Sequence, residues 1–409
     1  MTPDASGDPT QPAPLEGLRI LDLGHALAGP FAATLLADFG ADVLKVEKPG
    51  EGDPMRRLGP RKDGTPLWWV CAARNKKSVS LDFTTSRGRE ILLELVARSD
   101  VVVENFRPGT LERHSLGWEQ LREVNPKLVM LRLSGFGQLS HYPSRPGFGR
   151  VAEAIAGAAE LTGDRDGPPM HVGYSLADTL AGLMGAFGIL VCLQRRNRDG
   201  EGDCIDLALY EPLFRLIDWQ VIVFDQLGIT PRRAGSRFPD VLDGVAAGVA
   251  RSSDGVWMSY SAATDDVLVR LINVVMGDDA LDDDRLRTAE ARRVNCALVE
   301  QAALIWIRAR TCEEVETQFA ASRAVIGRVY DMAQIWADPN FWLRGDIIRV
   351  HDDDLGEVAM HGVIPRLVGR PGRVQHTGPA LGEHTDEVLR ELCGVSESEL
   401  RQLRDAAVI

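Results

Sequence analysis

At 409 residues the chain is too long for one ordinary compact core, so two domains are expected. Its 44% hydrophobic and 26% charged residues are those of a globular protein, and a net charge of −13 argues against general nucleic-acid binding, which relies on a basic surface. Six cysteines, Cys71, Cys192, Cys204, Cys296, Cys312 and Cys393, lack CxxC or metal-type spacing and read as reduced thiols, with no metal site expected.

Residues 1–14 are polar and Pro-rich, without the basic and apolar regions of a signal peptide, and are expected as a disordered tail. From Gly17 strand and helix alternate. Residues 18–23 read as a strand ending at Gly24. After His25 to Gly29, Pro30 sits where a first helical residue belongs, 31–39 has helical spacing, and Gly40 suits the turn beyond it. Residues 43–47, 78–82, 101–105 and 128–133 read as further strands, and 86–98 as a helix. This alternation predicts an α/β fold whose large domain holds a doubly wound, mainly parallel Rossmann-like sheet.

The first strand–helix turn offers only Gly24 and Gly29, so it lacks the G-x-G-x-x-G dinucleotide fingerprint. Glu47 ends the second strand, where an NAD-binding protein keeps its ribose acid, but one acid there is weak evidence. Between Lys45 and Lys77 stand nine basic residues and four acids, following the strand ends at which open α/β sheets bind ligands. The cluster is either a solvated loop or a seat for a small polyanion with several phosphates, such as coenzyme A.

Asp178 directly precedes the uncharged apolar run 179–193, which at 15 residues is shorter than the ~20 needed to cross a bilayer and reads as a core helix. Ser175 and Asp178 have capping-box spacing, so Asp178 is either a helix cap or a nucleophile at the edge of a dry interior. No G-x-S-x-G elbow, activated cysteine or clustered metal ligand competes with it. His25 reads as a loop brace, and His384 as a cap or brace of the last helix.

After Gly200 the pattern changes. Residues 204–216 look like a strand running into a helix, and 218–237 like a long crossing segment. Trp257 to Tyr260 opens a smaller α+β unit reaching about Ser322. Residues 346–362 alternate like two short strands, and 378–385 leads into a final helix.

Several segments together resemble the class III coenzyme A transferases, the formyl-CoA transferase and carnitine CoA-transferase group, from Leu15 onward. They include Ala28-Gly29-Pro30, Gly40-Ala41-Asp42-Val43, Asn75-Lys76-Lys77-Ser78, Val103-Glu104-Asn105-Phe106-Arg107-Pro108-Gly109, Leu133-Ser134-Gly135-Phe136-Gly137 and Asp338-Pro339. The resemblance implies exchange of coenzyme A between an acyl-CoA and a carboxylic acid, with Asp178 as nucleophile. It implies coenzyme A contacts at Ala26, Leu27, Ala28, Lys48, Leu81, Asn105, Phe106 and Arg113, with the coenzyme A thioester as substrate and no permanently bound cofactor. It also implies an interlocked, ring-like homodimer. The large domain would comprise 15–208 and 333–409 and the small one 228–322, joined by linkers at 209–227 and 323–332. With no nucleic acid or membrane as partner, the protein is expected to be cytoplasmic.

Related α-methylacyl-CoA racemases pair the aspartate with a histidine in a Gly-His-Asp segment, where this chain reads Gly147-Phe148-Gly149. Two-base proton exchange therefore lacks its partner. Formyl-CoA transferases also carry a run of glycines as a lid over the aspartate, where this chain has only Gly235-Ser236-Arg237 and Leu242-Asp243-Gly244-Val245, and Leu27 stands where oxalate-using members often have Gln. These departures point to a larger acyl group, such as a C4–C5 dicarboxylate. The racemase, and a non-catalytic coenzyme A-binding regulator, remain as alternatives.

Overall fold

The computed structural model describes residues 11–142, 145–237 and 244–409. Most of the predicted 1–14 tail, and Leu242 and Asp243 of the second glycine-poor segment, lie outside them. The chain divides into two units. The first comprises residues up to Ala156, Tyr174–Leu216 and Pro339–Ile409; the second comprises Gly157–Gly173 and Ile217–Asp338.

The first unit is built on six strands: β1 (Arg19–Asp22), β2 (Asp42–Glu47), β3 (Lys76–Ser80), β4 (Val101–Glu104), β5 (Val129–Ser134) and β6 (Asp203–Ala208). All pairings are parallel and the order is β3-β2-β1-β4-β5-β6, the Rossmann order with its switch point between β1 and β4. Strand residues such as Ile20, Leu21, Val43, Leu44 and Val101 to Val103 are fully buried within the sheet. The expected large α/β sheet is therefore present, with strand ends within a residue or two of the sequence reading.

Helix α1 (Ala28–Ala37) connects β1 to β2 and begins two residues earlier than expected, so Pro30 is its third residue. Helix α2 (Ser86–Val96) is capped by the Thr85 hydroxyl, which accepts from the Gly88 N–H, and buries Ile91, Leu92, Leu95 and Val96. The C-terminal helices Thr385–Cys393 and Glu397–Asp405 bring Val388, Leu389, Leu400 and Leu403 into the same core. A single final helix was expected. Gly394, at φ 65°, breaks it in two. His384 stands at the N-cap of the first without a side-chain cap bond.

Helix α3 (Gly149–Ile155) is followed in this unit by α4 (Leu176–Asp199), 24 residues long and closed by left-handed Gly200. The expected run of 15 residues was too short. Among the described residues α4 is the one helix long and apolar enough to cross a membrane. Its small-residue face nevertheless packs within the unit. A β-carbon at Gly182 would come 2.7 Å from the Ala28 carbonyl oxygen, and one at Gly185 2.7 Å from Leu131 Cδ2. Glycine at these two positions lets α4 lie directly on α1 and β5.

The second unit holds the antiparallel strands β7 (Ala246–Arg251), β8 (Trp257–Ala262) and β9 (Ile326–Arg328) in the order β9-β8-β7. Helices Asp265–Met276, Cys296–Arg308 and Cys312–Ala321 supply its core with Leu268, Leu271, Val299, Ile307 and Phe319. The unit starts earlier than Trp257 and takes in β9, so 323–332 lies within it rather than between the units. Residues 209–227, also expected as a linker, carry helix Glu211–Leu216 of the first unit and helix Trp219–Leu227 of the second. Gly157–Gly173, read as part of the large domain, joins the second unit. Arg233 ties it there, donating to Glu160 Oε1 at 2.6 Å and to the Gly167 carbonyl at 2.9 Å. Two strands close the chain's last third in the first unit, β10 (Ile347–Asp352) and β11 (Gly356–His361), paired as the alternation predicted.

Candidate active site

The loop after β1 is held by a buried set of charges. Lys76 Nζ donates to Asp22 Oδ2 at 2.8 Å and to the Pro30 carbonyl at 2.7 Å. Lys45 Nζ donates to the Gly24 carbonyl and lies 3.1 Å from Asp53 Oδ2. Asp53 Oδ1 accepts from the N–H groups of Ala26 (3.0 Å) and Met55 (2.8 Å). Glu47 binds Arg56 through both oxygens at 2.7 Å and accepts from the Ser78 hydroxyl at 2.6 Å.

Three carboxylates thus meet three cations, which makes burial of the whole set tolerable. Burial alone would raise the Asp22 carboxyl, but Lys45 and Lys76 outweigh it and hold it below its ordinary pKa. The set holds Ala26 at φ 58°, in the left-handed region where a non-glycine residue is strained. The second bracket is Asn105, at the end of β4. Its Oδ1 accepts from the His25 N–H at 2.6 Å and its Nδ2 donates to the His25 carbonyl at 2.9 Å.

This geometry divides the basic segment into buried and surface cations. Lys45 and Lys76 are almost fully buried, Arg56 is taken by Glu47, and Arg74 by Asp38 at 2.6 Å. Lys77 pairs with Glu387 and Lys48 with Glu51. Four of the nine cations are thus internal scaffold matched by buried acids, while Lys48, Arg57, Arg61, Lys62 and Lys77 stay at the surface, and Glu47 is not available to a ribose.

Asp178 is the third residue of α4. The expected capping box does not form, because Ser175 stands at the N-cap without a side-chain cap bond. The Asp178 carboxylate instead lies against α3, its Oδ2 2.6 Å from where a β-carbon on Gly149 would stand. Burial raises its pKa above the ordinary value, and the nearby Glu153, itself 3% exposed, adds to the rise. A raised pKa makes the ionised oxygen a stronger nucleophile and desolvation sharpens it further.

A cavity of about 580 Å³ opens at the switch point, outside the carboxyl ends of the strands, and Asp178 is the one acid on its wall among the described residues. Ala26, Leu27, Ala28, Asn105 and Phe106 of the expected contacts line it too. Lys48, Leu81 and Arg113 do not. Lys48 is exposed, Leu81 is buried in the sheet core, and Arg113 turns back to donate to Thr110 Oγ1 at 3.2 Å. Phe148 stands 76% exposed on the rim, and the histidine on the wall is His25, edge-on to Phe106 with ring centroids 4.9 Å apart. None of the cysteines lines this cavity. Burial pushes Cys204 and Cys393 up to about 12, which removes them as thiolate nucleophiles. Among the described residues no group of three or more His, Cys, Asp or Glu could hold a metal ion.

A family model described as CoA-transferase family III matches residues 15–385. The chain belongs to this family. This family III CoA-transferase is 41% identical over 399 residues to the succinyl-CoA–D-citramalate CoA-transferase of Chloroflexus aurantiacus, covering 97% of this chain and 98% of that one. It is 39% identical to the succinyl-CoA–L-malate CoA-transferase beta subunit of the same organism, with 98% and 99% covered. Among solved structures it resembles a CAIB/BAIF family protein from Brucella suis, with a TM-score of 0.81 at 30% identity, covering 93% of this chain and 100% of that one.

The site of this family III CoA-transferase holds residues that sequence reasoning passed over. Asp22, Asp53 and Lys76 form the scaffold under the loop, and Glu153 and Arg145 sit near the aspartate and on the cavity wall. An isolated charge inside an apolar strand, as Asp22 is in Ile20-Leu21-Asp22-Leu23, was the available signal for the scaffold. Nothing local marks Glu153 or Arg145.

Proposed function

We propose that this CoA-transferase moves coenzyme A between C4–C5 dicarboxylic acids, with Asp178 as the covalent carrier. The observation that carries the reading is the Asp178 carboxylate, set at the head of α4 as the one acid among the described residues on a cavity at the switch point. The names of the two Chloroflexus relatives, which pair succinyl-CoA with citramalate or malate, support the substrate class.

In the first step an ionised Asp178 oxygen attacks the thioester carbonyl of the donor. The C–S bond breaks, coenzyme A leaves as thiolate, and an aspartyl–acyl anhydride remains. The thiolate then attacks the Asp178 carbonyl carbon, breaking its bond to the bridging oxygen. The donor acid departs and an aspartyl-CoA thioester remains. The acceptor carboxylate attacks that thioester, displacing the thiolate and forming a second anhydride. Thiolate attack on the acceptor's acyl carbon yields the new thioester and frees Asp178. No proton changes hands, so no partner base is needed. The first N–H groups of α1, at Ala28 and Gly29, have no acceptor within the helix, and Ala28 lies on the cavity wall, suited to the developing oxyanions. Apolar walls from Leu27, Met55, Phe106 and Leu133 limit hydrolysis of the anhydrides.

The enzyme is further read as an interlocked cytoplasmic homodimer, with the coenzyme A thioester entering as substrate rather than as a resident cofactor. Leu183, Phe187, Leu190 and Val191 are exposed along α4, and helix Trp219–Leu227 exposes Val221, Ile222, Phe224 and Leu227 while burying no residue. Apolar area of this extent asks for a partner, and sedimentation at micromolar protein should give the dimer mass.

The decisive experiment is mass spectrometry after incubation with succinyl-CoA, with and without malate, followed by hydroxylamine or borohydride. Acyl-CoA-dependent modification confined to Asp178 is expected. An unmodified Asp178 during turnover sinks the covalent route.

A further inference from the structure

Two arginines among the described residues line the Asp178 cavity, Arg107 and Arg145. Arg107 sits in the loop after β4 beside Asn105 and Phe106, where the coenzyme A side is expected. Arg145 belongs to the other wall, close to the chemistry. A β-carbon on Gly147 would come 3.1 Å from the Phe136 ring, and Gly149, two residues on, touches the Asp178 carboxylate. The Arg145 guanidinium lies over that same Phe136 ring at 5.3 Å and over Tyr142 at 5.6 Å, while those two rings meet at a tilt of 62°. Among the described residues no carboxylate lies within ion-pairing distance of it.

We propose that Arg145 recognises the second carboxylate of the acyl group, the one that takes no part in transfer. This rests on the dicarboxylate reading above. Attraction of the cation to two aromatic rings holds it on this wall without using up its N–H donors, which suits binding of a carboxylate. Charge requires such a group. A dicarboxylic acyl group brings a spectator negative charge into a cavity whose one acid among the described residues is the nucleophile. The donor's spectator carboxylate meets an ionised Asp178, and the acceptor's meets Asp178 as its coenzyme A thioester. A fixed cation offsets that charge in both half-reactions. A hydrophobic wall alone would favour the uncharged analogue.

The test compares succinyl-CoA with butyryl-CoA, which has a methyl group in place of the spectator carboxylate, as donors to malate. Wild type, Arg145→Gln and Arg145→Lys are assayed as full-length protein, with circular dichroism to confirm folding. Arg145→Gln should lower kcat/KM for succinyl-CoA about 30-fold, as for a lost charge-assisted pair, while changing butyryl-CoA less than about threefold. Arg145→Lys, which keeps charge but loses the fork, should fall between for succinyl-CoA. Equal losses with both donors would place Arg145 on coenzyme A or in the fold and overturn the proposal. So would a wild type that transfers from both donors without preferring the charged one. A wild type that transfers from neither, with Asp178 unmodified, overturns instead the transferase reading on which the proposal stands.

Discussion

The Asp178 carboxylate and the Cα of Gly149 are packed so closely that no side chain fits between them, since a β-carbon at residue 149 would stand 2.6 Å from Asp178 Oδ2. Gly149 opens α3 in an ordinary backbone conformation, so its requirement is for space at the nucleophile rather than for conformational freedom. Gly149→Ala should therefore fold normally but push the carboxylate aside by ~1 Å. A displacement of that size costs on the order of 10²-fold in kcat, with little change in KM. Steady-state kinetics with succinyl-CoA checks this. An alanine variant with wild-type kcat would mean that the carboxylate tolerates relocation.

Burial, with Glu153 second, raises the Asp178 pKa. Activity should therefore fall on the acid side as Asp178 protonates, at a pH above the ordinary aspartate range. Removing the second cause with Glu153→Gln should move that acid limb to lower pH while leaving the alkaline side in place. The pH dependence of kcat/KM measures both. A limb that stays put would show that Glu153 does not act on Asp178 electrostatically.

The same shift has a stability consequence. The folded pKa lies above the unfolded one, so below the unfolded value Asp178 is protonated in both states and costs nothing. As pH rises through the folded pKa, the unfolded chain is already ionised while the folded carboxyl resists ionising, so stability is lost. Asp178→Asn should abolish transfer and stabilise the protein near neutral pH by about 0.5–1 kcal/mol, as relief of active-site residues commonly does. Scanning calorimetry at two pH values should show the gain shrinking in acid.

Asp53 and Lys48 sit five residues apart with opposite expectations. Asp53→Ala leaves buried Lys45 without one of its partners and unties the Ala26 N–H, and breaking a buried pair in this way costs about 3–5 kcal/mol. Lys48→Ala removes an exposed partner of Glu51 and should leave the denaturation midpoint unchanged. Chemical denaturation of the two variants side by side decides whether the basic segment is scaffold.

Asn105 holds the His25 backbone through both its donor and its acceptor. Asn105→Ala should loosen the loop bearing Ala26, Leu27 and Ala28, raising KM for the acyl-CoA about tenfold with a smaller effect on kcat. Equal loss in kcat would instead point to a part in the chemical step.

The sequence by itself determined the alternating α/β order and nearly every strand of the main sheet, because apolar runs between turn residues are local signals. It also singled out Asp178, since one acid before a long uncharged run stands out without any tertiary knowledge. What lies around that acid was decided by packing. The capping spacing of Ser175 and Asp178 promised a bond that the chain does not make, because the carboxylate turns to Gly149 and α3 instead. The nine cations of residues 45–77 looked alike in the sequence. Only the fold sends Lys45 and Lys76 inward to Asp22 and Asp53 and leaves Lys48 outside. Asp22 meets Lys45 and Lys76, 23 and 54 residues on, because parallel strands align their ends, and charge pairing at such separations leaves no periodic trace in a sequence. Arg145 and Glu153 belong to the same class: each is an ordinary charged residue until Phe136 and Asp178 are brought beside them.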